Sequence, residues 1–536
     1  MKNKVLKISL IIAGSLIVLF FLSWFLLQKI LRDEINAKLD SGLIPGHKVK
    51  MDNIETDLLS ASVTASDIYI VPDEKPAEKM QGFRIDSCYI SSISIKGISA
   101  IRYLLFKSIS IGELEIGKAY LKLSLSSPDS SIKKKDDKSR LKAAVLKKLK
   151  IDDLQLLLME MNSEREILSV NRFHLQTKKI RLVSKNGKAV LSRYPHIEAF
   201  EIDTLSSVIS GGFYRIEIGQ MLKKEDRNFE INRLKLLPQY PRYTFAKKLG
   251  YQTDRIKLLL DRLMIRGFDF EKLEDNILQC RSIETNGMFA DFFRDKNIPR
   301  PPGHRPPLPQ QTITALDFKL CIDSISLNNN EVHYTEHMPG AAEAGFVFFR
   351  DLNVLAMNLT NDPDYFNRSS TVQAFATGSV MGESLARIKI SFPANKTPDT
   401  LFFSGQLEPM KLDHFNSMLE RNQEVRINEG SLDKLSFEAR ANNDVASGKL
   451  EFLYHDLNIT VMKKEEEGSK ERKFISFLMN TILRSNNPVG NKEPLVAEMS
   501  FERDKEKSFI NYMWKTILSG ITETITPGKK KLERKE

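Results

Sequence analysis

Alternation of apolar and polar residues is the commonest pattern along the chain. It runs through Tyr120 to Ser127 and Leu316 to Asp323, and again through Leu435 to Ala439 and Leu450 to Tyr454. Successive side chains on a strand point to opposite faces, so this period of two predicts half-buried strands. Such runs recur up to about Val461, and they predict a mostly β protein.

Turn residues separate several of these runs. Asn186-Gly187 is typical of a two-residue hairpin loop. Asn328 to Asn330 lies between two short alternating runs, and it predicts a turn between two strands.

Helical patterns are few and short. We predict helices at Ile30 to Leu39, Arg140 to Lys150, AKKLG (246–250), DRIKLLLD (254–261), Phe474 to Leu483 and Ser508 to Ile525. The last of these is rich in apolar residues, so it either caps a core or lies on a membrane.

The small number of helices limits the possible folds. An alternating sheet has one apolar face, and something must cover that face. The predicted helices are too few to cover so many strands. Two arrangements remain open: several small sandwiches or barrels in a row, or one long curved antiparallel sheet whose apolar concave face holds something greasy such as acyl chains.

A long apolar run near the start of the chain predicts a membrane anchor. Ile8 to Leu27 is twenty residues without a charge, which as a helix spans about 30 Å, the thickness of a bilayer's hydrocarbon core. Lysines precede it, so we expect the short leading segment to stay cytoplasmic and the long remainder to be exported. A cleaved signal peptide is the alternative, but the run is long and no small-residue cleavage site follows it. The predicted anchor residues are Ile8, Leu10, Ile11, Ile12, Leu16, Ile17, Val18, Leu19, Phe20, Phe21, Leu22, Trp24, Phe25, Leu26 and Leu27.

Charge and cysteine content change this picture little. The net charge is +11, but lysines and arginines are mostly interspersed with acids, as on a solvated surface. Short basic runs at Lys133 to Lys135 and Lys529 to Lys531 are expected to touch anionic lipid headgroups at most, and we predict no nucleic-acid partner. Cys88, Cys280 and Cys321 are far apart and predict neither a disulfide framework nor a metal cluster.

Motifs of enzymes are missing from the sequence. It contains no Walker loop, no dinucleotide-binding glycine motif, no nucleophile elbow and no C-x-x-C. His333 and His337 are spaced as metal ligands on a helix, but the surrounding alternation predicts a strand, which would place them about 13 Å apart. We therefore predict a non-enzyme without catalytic residues, metal or cofactor.

The order of these elements resembles the bacterial AsmA-like envelope protein superfamily, which includes AsmA, YhdP and TamB. The resemblance rests on the anchor, on the strand-rich segments Val49 to Ile70 and Ser92 to Leu125, and on two later repeats at Ile322 to Asn361 and Ile427 to Val461. It implies a single-pass protein of the bacterial inner membrane with a periplasmic body, a curved β-sheet groove, and a role in lipid transport or outer-membrane homeostasis. Membrane phospholipid and envelope proteins are the implied partners, and a non-catalytic β-sandwich scaffold that recruits envelope partners is the alternative.

Five regions follow from this interpretation. They are an anchor (1–31), a first AsmA-like β region (32–240), a helix-containing, proline-rich junction (241–311), a second AsmA-like β region (312–465), and helical segments with a basic tail (466–536).

The junction holds the proline-rich stretch RDKNIPRPPGHRPPLPQ, from Arg294 to Gln310. Proline continues neither a helix nor a sheet ladder and favours a stiff, extended backbone. We predict a rigid strap between two series of strands, with a ligand for a proline-reading domain as the alternative. Arg294, Arg300 and Arg305 are candidates for pairing with acids that pin the strap down.

Overall fold

The structure of the chain, a computed structural model, describes fifteen stretches of the sequence. They are residues 46–57, 62–73, 83–97, 108–125, 143–161, 163, 165–185, 188–193, 196–224, 227–362, 364–365, 371–393, 400–423, 425–461 and 483–526. Within these residues the chain is mostly β-strand, as the alternation predicts, and its helices are few and short.

The chain divides into two units. Unit 1 comprises Met1–Ile209 and Ile218–Lys223, and unit 2 comprises Ser210–Glu217 and Lys224–Glu536. The strands of unit 1 are β1 (His47–Asp57), β2 (Ser62–Pro72), β3 (Phe83–Lys96), β4 (Ser108–Leu125), β5 (Ala143–Glu160), β6 (Glu166–Lys185), β7 (Lys188–Arg193) and β8 (His196–Ile209); β9 (Tyr214–Lys223) has residues assigned to each unit.

Unit 2 holds the remaining described strands and the described α-helices. The strands are β10 (Phe229–Pro238), β11 (Asp254–Arg266), β12 (Ile277–Asp295), β13 (Lys319–His337), β14 (Gly345–Thr360), β15 (Thr371–Val380), β16 (Ser384–Pro393), β17 (Leu401–Leu407), β18 (Met410–Lys411), β19 (Val425–Ala441), β20 (Val445–Val461) and β21 (Val496–Glu502). The helices are α1 (Arg242–Leu249), α2 (Pro309–Thr314), α3 (Asn416–Gln423) and α4 (Phe509–Ile525).

Strand pairing is antiparallel with two exceptions among the described pairs. In unit 1, β4 pairs with β5 in parallel, and in unit 2, β12 pairs with β13 in parallel. In both units the strands contact chiefly their hydrogen-bonded neighbours. Each unit is therefore built as a sheet of strands laid side by side, and within the described residues the face-to-face strand contacts of a sandwich are not a major feature.

Two of the predicted helices are strands. The pattern of Arg140 to Lys150 predicts a helix, but the described part of this segment begins β5. DRIKLLLD, also predicted to be helical, begins β11. Both segments carry apolar residues at mixed spacings of one to three, which fit neither the helical period of 3.6 nor the strand period of two. Pairing with neighbouring strands makes them strands. AKKLG lies at the end of α1, and Ser508 caps α4, so those two helical predictions are confirmed.

The predicted turn at Asn328 to Asn330 is also wrong. Strand β13 continues through it, with register shifts against β14 on either side of Asn330. Asn329 adopts a φ of 55°, and its backbone N–H donates to the side chain of Asn353. The asparagines thus form a β-bulge, which admits one extra residue without ending the strand. The predicted hairpin agrees with the pairing of β6 and β7, in which Lys185 lies opposite Lys188; Asn186 and Gly187 themselves lie outside the described residues.

The proline-rich stretch connects β12 to its parallel neighbour β13, so it carries the chain back along the sheet, as any parallel pair requires. It is pinned as predicted at two arginines: Arg294 forms a bidentate pair with Asp254 (2.5 and 2.7 Å), and Arg300 pairs with Glu506 (3.1 Å). Arg305 is exposed. A further hydrogen bond runs from Arg503 to the Pro306 carbonyl, and the stretch ends in α2.

Leu308 anchors the strap in the core of unit 2. Its side chain is 0% exposed and packs into the main core of unit 2. The neighbouring Gln310 is also 0% exposed, and neither its Oε1 nor its Nε2 has a hydrogen-bond partner within the described part of the chain.

We expect the substitution Gln310→Leu to raise the free energy of unfolding by about 1–3 kcal/mol, because a buried amide without partners carries its full desolvation penalty. Gln311→Leu is the matched control: Gln311 accepts a hydrogen bond from the Leu308 backbone N–H (2.9 Å), so its loss should destabilise the strap. Urea unfolding of both variants measures the two effects. A destabilised Gln310→Leu variant would show that the amide is satisfied in solution.

Candidate functional site

One face of the unit 1 sheet is covered with ion pairs. Glu115 on β4 accepts hydrogen bonds from Lys150 on β5 (2.7 Å) and from Lys96 on β3 (3.1 Å). Glu113 pairs with Lys148 in the same way (3.2 Å). These cross-strand pairs alternate in sign across adjacent strands, which is how a water-facing sheet surface is stabilised.

The same ion pairs make the stability of unit 1 sensitive to acid. Hydrogen bonds from Lys150 and then Lys96 lower the pKa of Glu115. A carboxyl whose pKa is lower in the folded state stabilises the fold above its unfolded pKa of about 4.3, and that contribution is lost as the pH falls through the folded pKa. Glu115→Gln should therefore flatten the pH dependence of stability below about pH 4.3.

Thermal melts followed by circular dichroism across this pH range provide the measurement. Lys150→Gln removes the first of the two hydrogen-bond partners, so it should reproduce part of the effect. A Glu115→Gln variant with the wild-type pH profile would mean that the ion pairs are not formed in solution.

The opposite face of the same strands is apolar. Strand pairing aligns its side chains in four rows that each cross β1 to β6 and β8. The first row is Val49, Ile70, Cys88, Leu121, Leu156, Val170 and Leu205; the second is Met51, Ile68, Ile90, Ala119, Leu154, Phe173 and Ile202. The third is Ile54, Ala65, Ile93, Ile116, Ile151, Leu175 and Phe200; the fourth is Thr56, Val63, Ile95, Leu114, Leu149, Thr177 and Ile197. We call these four rows the apolar face; they contain no charged side chain.

Irregular residues keep the rows on one side of the sheet. Along a given strand, the side chains of neighbouring rows are two residues apart at some places and three at others. In a regular strand, side chains three residues apart point to opposite faces of the sheet, so a step of three stays on one face only where the strand is irregular. Asp67 and Arg172 lie within two of the three-residue steps, with φ of 51° and 50°. A register shift between Ile151 and Leu154 occurs at a third such step.

The apolar face is large. From Leu114 to Leu121 the rows span about 23 Å along β4, and seven strands span about 29 Å across the sheet. The rows therefore occupy a footprint of roughly 650 Å² on the sheet. The length of the face along the strands exceeds about 15 Å, half of a bilayer's hydrocarbon core and hence the reach of one acyl chain.

The apolar face is only partly covered. Leu114, Leu121, Leu149 and Leu156 each remain partly exposed, and the described residues of unit 1 form no α-helix that packs on them. Covering this face with apolar matter would contribute about 2.5 kcal/mol for each 100 Å² removed from water.

Unit 2 shows what a covered face of the same kind looks like. There α4 packs on β20 and β21, with α2 and the strap contributing to the same core. Leu450 is 0%, Tyr454 1% and Met499 1% exposed beneath these elements. Burial there raises the pKa of the Tyr454 and Tyr512 hydroxyls to about 12. The strands of both units have an apolar face, but only in unit 2 do described helices pack on it.

The predicted anchor, Ile8 to Leu27, lies outside the described residues. Within the described residues, no helix combines the length and the apolarity that crossing a bilayer requires. The same residues contain no group of three or more His, Cys, Asp or Glu side chains placed to hold a metal ion.

The two histidines of the HYTEH sequence lie on strand β13, as the alternation predicts. The His333 ring contacts Glu331 (2.6 Å), and His337 contacts the Ala341 carbonyl (2.9 Å). Burial raises the pKa of the Cys280 thiol to about 11, which disfavours the reactive thiolate. The two histidines therefore have hydrogen-bond partners within the fold, and the thiol is buried.

No protein-family model matches the chain, and no curated protein matches it. The four rows of the apolar face contain no charged side chain, and burial raises the pKa of their one thiol, Cys88. What the face offers a ligand is therefore chiefly apolar burial.

Proposed function

We propose that the chain handles membrane lipid in the bacterial envelope, and that the apolar face of unit 1 holds phospholipid acyl chains. The observation that carries the proposal is a face of four aligned apolar rows, large enough for acyl chains, that no described helix covers. When one face of a sheet is charged and the other is apolar, the apolar face is stable only if other apolar groups cover it.

The cellular setting of the proposal comes from the sequence. The uncharged run Ile8 to Leu27 and the resemblance to the AsmA-like superfamily support a single-pass inner-membrane protein with a periplasmic body. In that setting the apolar face would be the lining of a curved groove, since a β-bulge such as the one at Arg172 bends and twists its strand. Acyl chains would lie in the groove while headgroups stay in water.

The proposal is tested by lipid retention. The full chain, purified in detergent, is incubated with vesicles that contain a phospholipid with a fluorescent acyl chain and is then separated from them. We expect labelled lipid to stay with the protein at a fixed ratio. A protein that retains no more label than a detergent blank would contradict the proposal and would favour a scaffold that recruits envelope proteins.

A further inference from the structure

The helix α4 has a second apolar surface besides the one that meets the core. Tyr512, Thr516 and Gly520 face β20 and β21 and are buried. Ile510 and Trp514 point away from that core, with 64% and 46% of their surface exposed. Residues four apart on a helix are neighbours on one side, so Ile510, Trp514 and the partly exposed Leu518 form one stripe.

Such a stripe is costly in water unless something covers it. Large apolar residues scattered singly on a surface are ordinary, but a tryptophan next to an isoleucine on one helix face marks an interaction site more strongly. The capped start of α4, where the Asn511 backbone N–H donates to the Ser508 hydroxyl, and its packed inner side hold the stripe in a fixed orientation.

A bilayer surface fits the stripe better than a second copy of the chain. A stable protein dimer buries about 800 Å² on each partner, far more than three side chains of one helix provide. Tryptophan favours the water–hydrocarbon boundary of membranes, because its ring is apolar and its N–H is polar.

The charges near the stripe favour anionic lipid. Lys515, the one basic side chain of α4, follows Trp514 directly, and the one acidic side chain of the helix, Glu523, lies in its last turn. Basic residues beside an interfacial helix are attracted to anionic headgroups.

We propose that the stripe Ile510, Trp514 and Leu518 docks α4 onto a bilayer surface that contains anionic lipid. The contact is separate from the apolar face of unit 1, because the stripe lies on the outside of a helix in unit 2. Trp514 enters the boundary region between headgroups and acyl chains, and Lys515 binds the headgroups.

The sequence supplies its own probe. The chain has two tryptophans, Trp24 and Trp514, so Trp24→Phe leaves Trp514 as the single one. This variant of the full chain is reconstituted in nanodiscs and titrated with vesicles whose phosphatidylglycerol carries brominated acyl chains. We expect quenching and a blue shift of Trp514 fluorescence, and weaker binding to vesicles of phosphatidylcholine alone.

Three variants in the same background complete the test. Ile510→Ser should weaken vesicle binding about tenfold. Phe402→Ser, at a residue that is 48% exposed on β17, should leave binding unchanged. Gln155→Glu, at an exposed residue on the charged side of β5, should also leave it unchanged.

Unquenched Trp514 in the presence of anionic vesicles would overturn the proposal. So would equal binding by the Ile510→Ser variant, or a dimer that dissociates when Ile510 is replaced, since the occupant of the stripe would then be a second copy. Equal affinity for neutral and anionic vesicles would overturn the assignment of anionic lipid.

Discussion

Replacing Leu156 by glutamate should reduce the phospholipid bound by the chain at least about tenfold, because an uncompensated carboxylate against an acyl chain costs several kcal/mol. Leu156 lies in the first row of the apolar face, opposite Leu121 and Val170. It is partly exposed, so the new carboxylate reaches water when no lipid is present, and the sheet should still fold. Labelled lipid retained by the purified full chain gives the measurement.

The neighbouring residue provides a matched control. Gln155 is exposed on the other side of β5, one position away, so Gln155→Glu introduces the same charge into the same strand. It should leave lipid retention at the wild-type level. If both variants lost lipid equally, the loss would reflect damage to β5 rather than contact with the apolar face.

Leu450→Ala should lower the free energy of unfolding of unit 2 by about 3–5 kcal/mol, the upper part of the range for buried leucines. Leu450 is 0% exposed between β20 and α4, and Gly520 brings the helix backbone close to it. A Cβ on Gly520 would come within 2.9 Å of Leu450 Cβ, so the packing leaves little room to collapse around a cavity. Urea unfolding followed by Trp514 fluorescence in the Trp24→Phe background reports on this region.

Val445→Ala is the control for that measurement. Val445 begins the same strand but is 40% exposed, so its truncation should cost less than about 1 kcal/mol. Similar losses for Leu450→Ala and Val445→Ala would contradict the buried core beneath α4.

The sequence predicts the class of fold well, because strands with one solvent-exposed face keep a regular alternation of apolar and polar residues. The runs around Leu121, Phe437 and Phe452 lie in β4, β19 and β20, as expected. It also predicts α4, whose apolar residues and serine cap are local signals.

The sequence predicts less well where strand pairing overrides the local period. The start of β5 has lysines and leucines at spacings that also fit a basic helix, and only its pairing with β4 and β6 makes it a strand. The same applies to the bulge at Asn329, where three asparagines are typical of a turn but the ladder continues on both sides.

The sequence does not reveal the apolar face directly, because the alternation of apolar and polar residues changes phase within single strands. In β2 the apolar residues Val63 and Ala65 are followed by Ile68 and Ile70, so a strict period of two fails at Asp67. The same step occurs in β6 at Arg172, between Val170 and Phe173. A polar residue between two alternating runs that differ in phase by one is the sequence signal for such a site. At both sites that polar residue has a positive φ.

The most direct test of the account is photo-cross-linking along one strand in the intact membrane. A photoreactive benzoylphenylalanine is placed in turn at residues 120, 121, 122 and 123 of β4 in the full chain, and phospholipid adducts are detected after irradiation. Leu121 and Leu123 alternate with Tyr120 and Lys122 between the two faces of the sheet. The account predicts adducts at 121 and 123 and none at 120 and 122. Adducts of equal yield at all four positions, or at 120 and 122 alone, would contradict it.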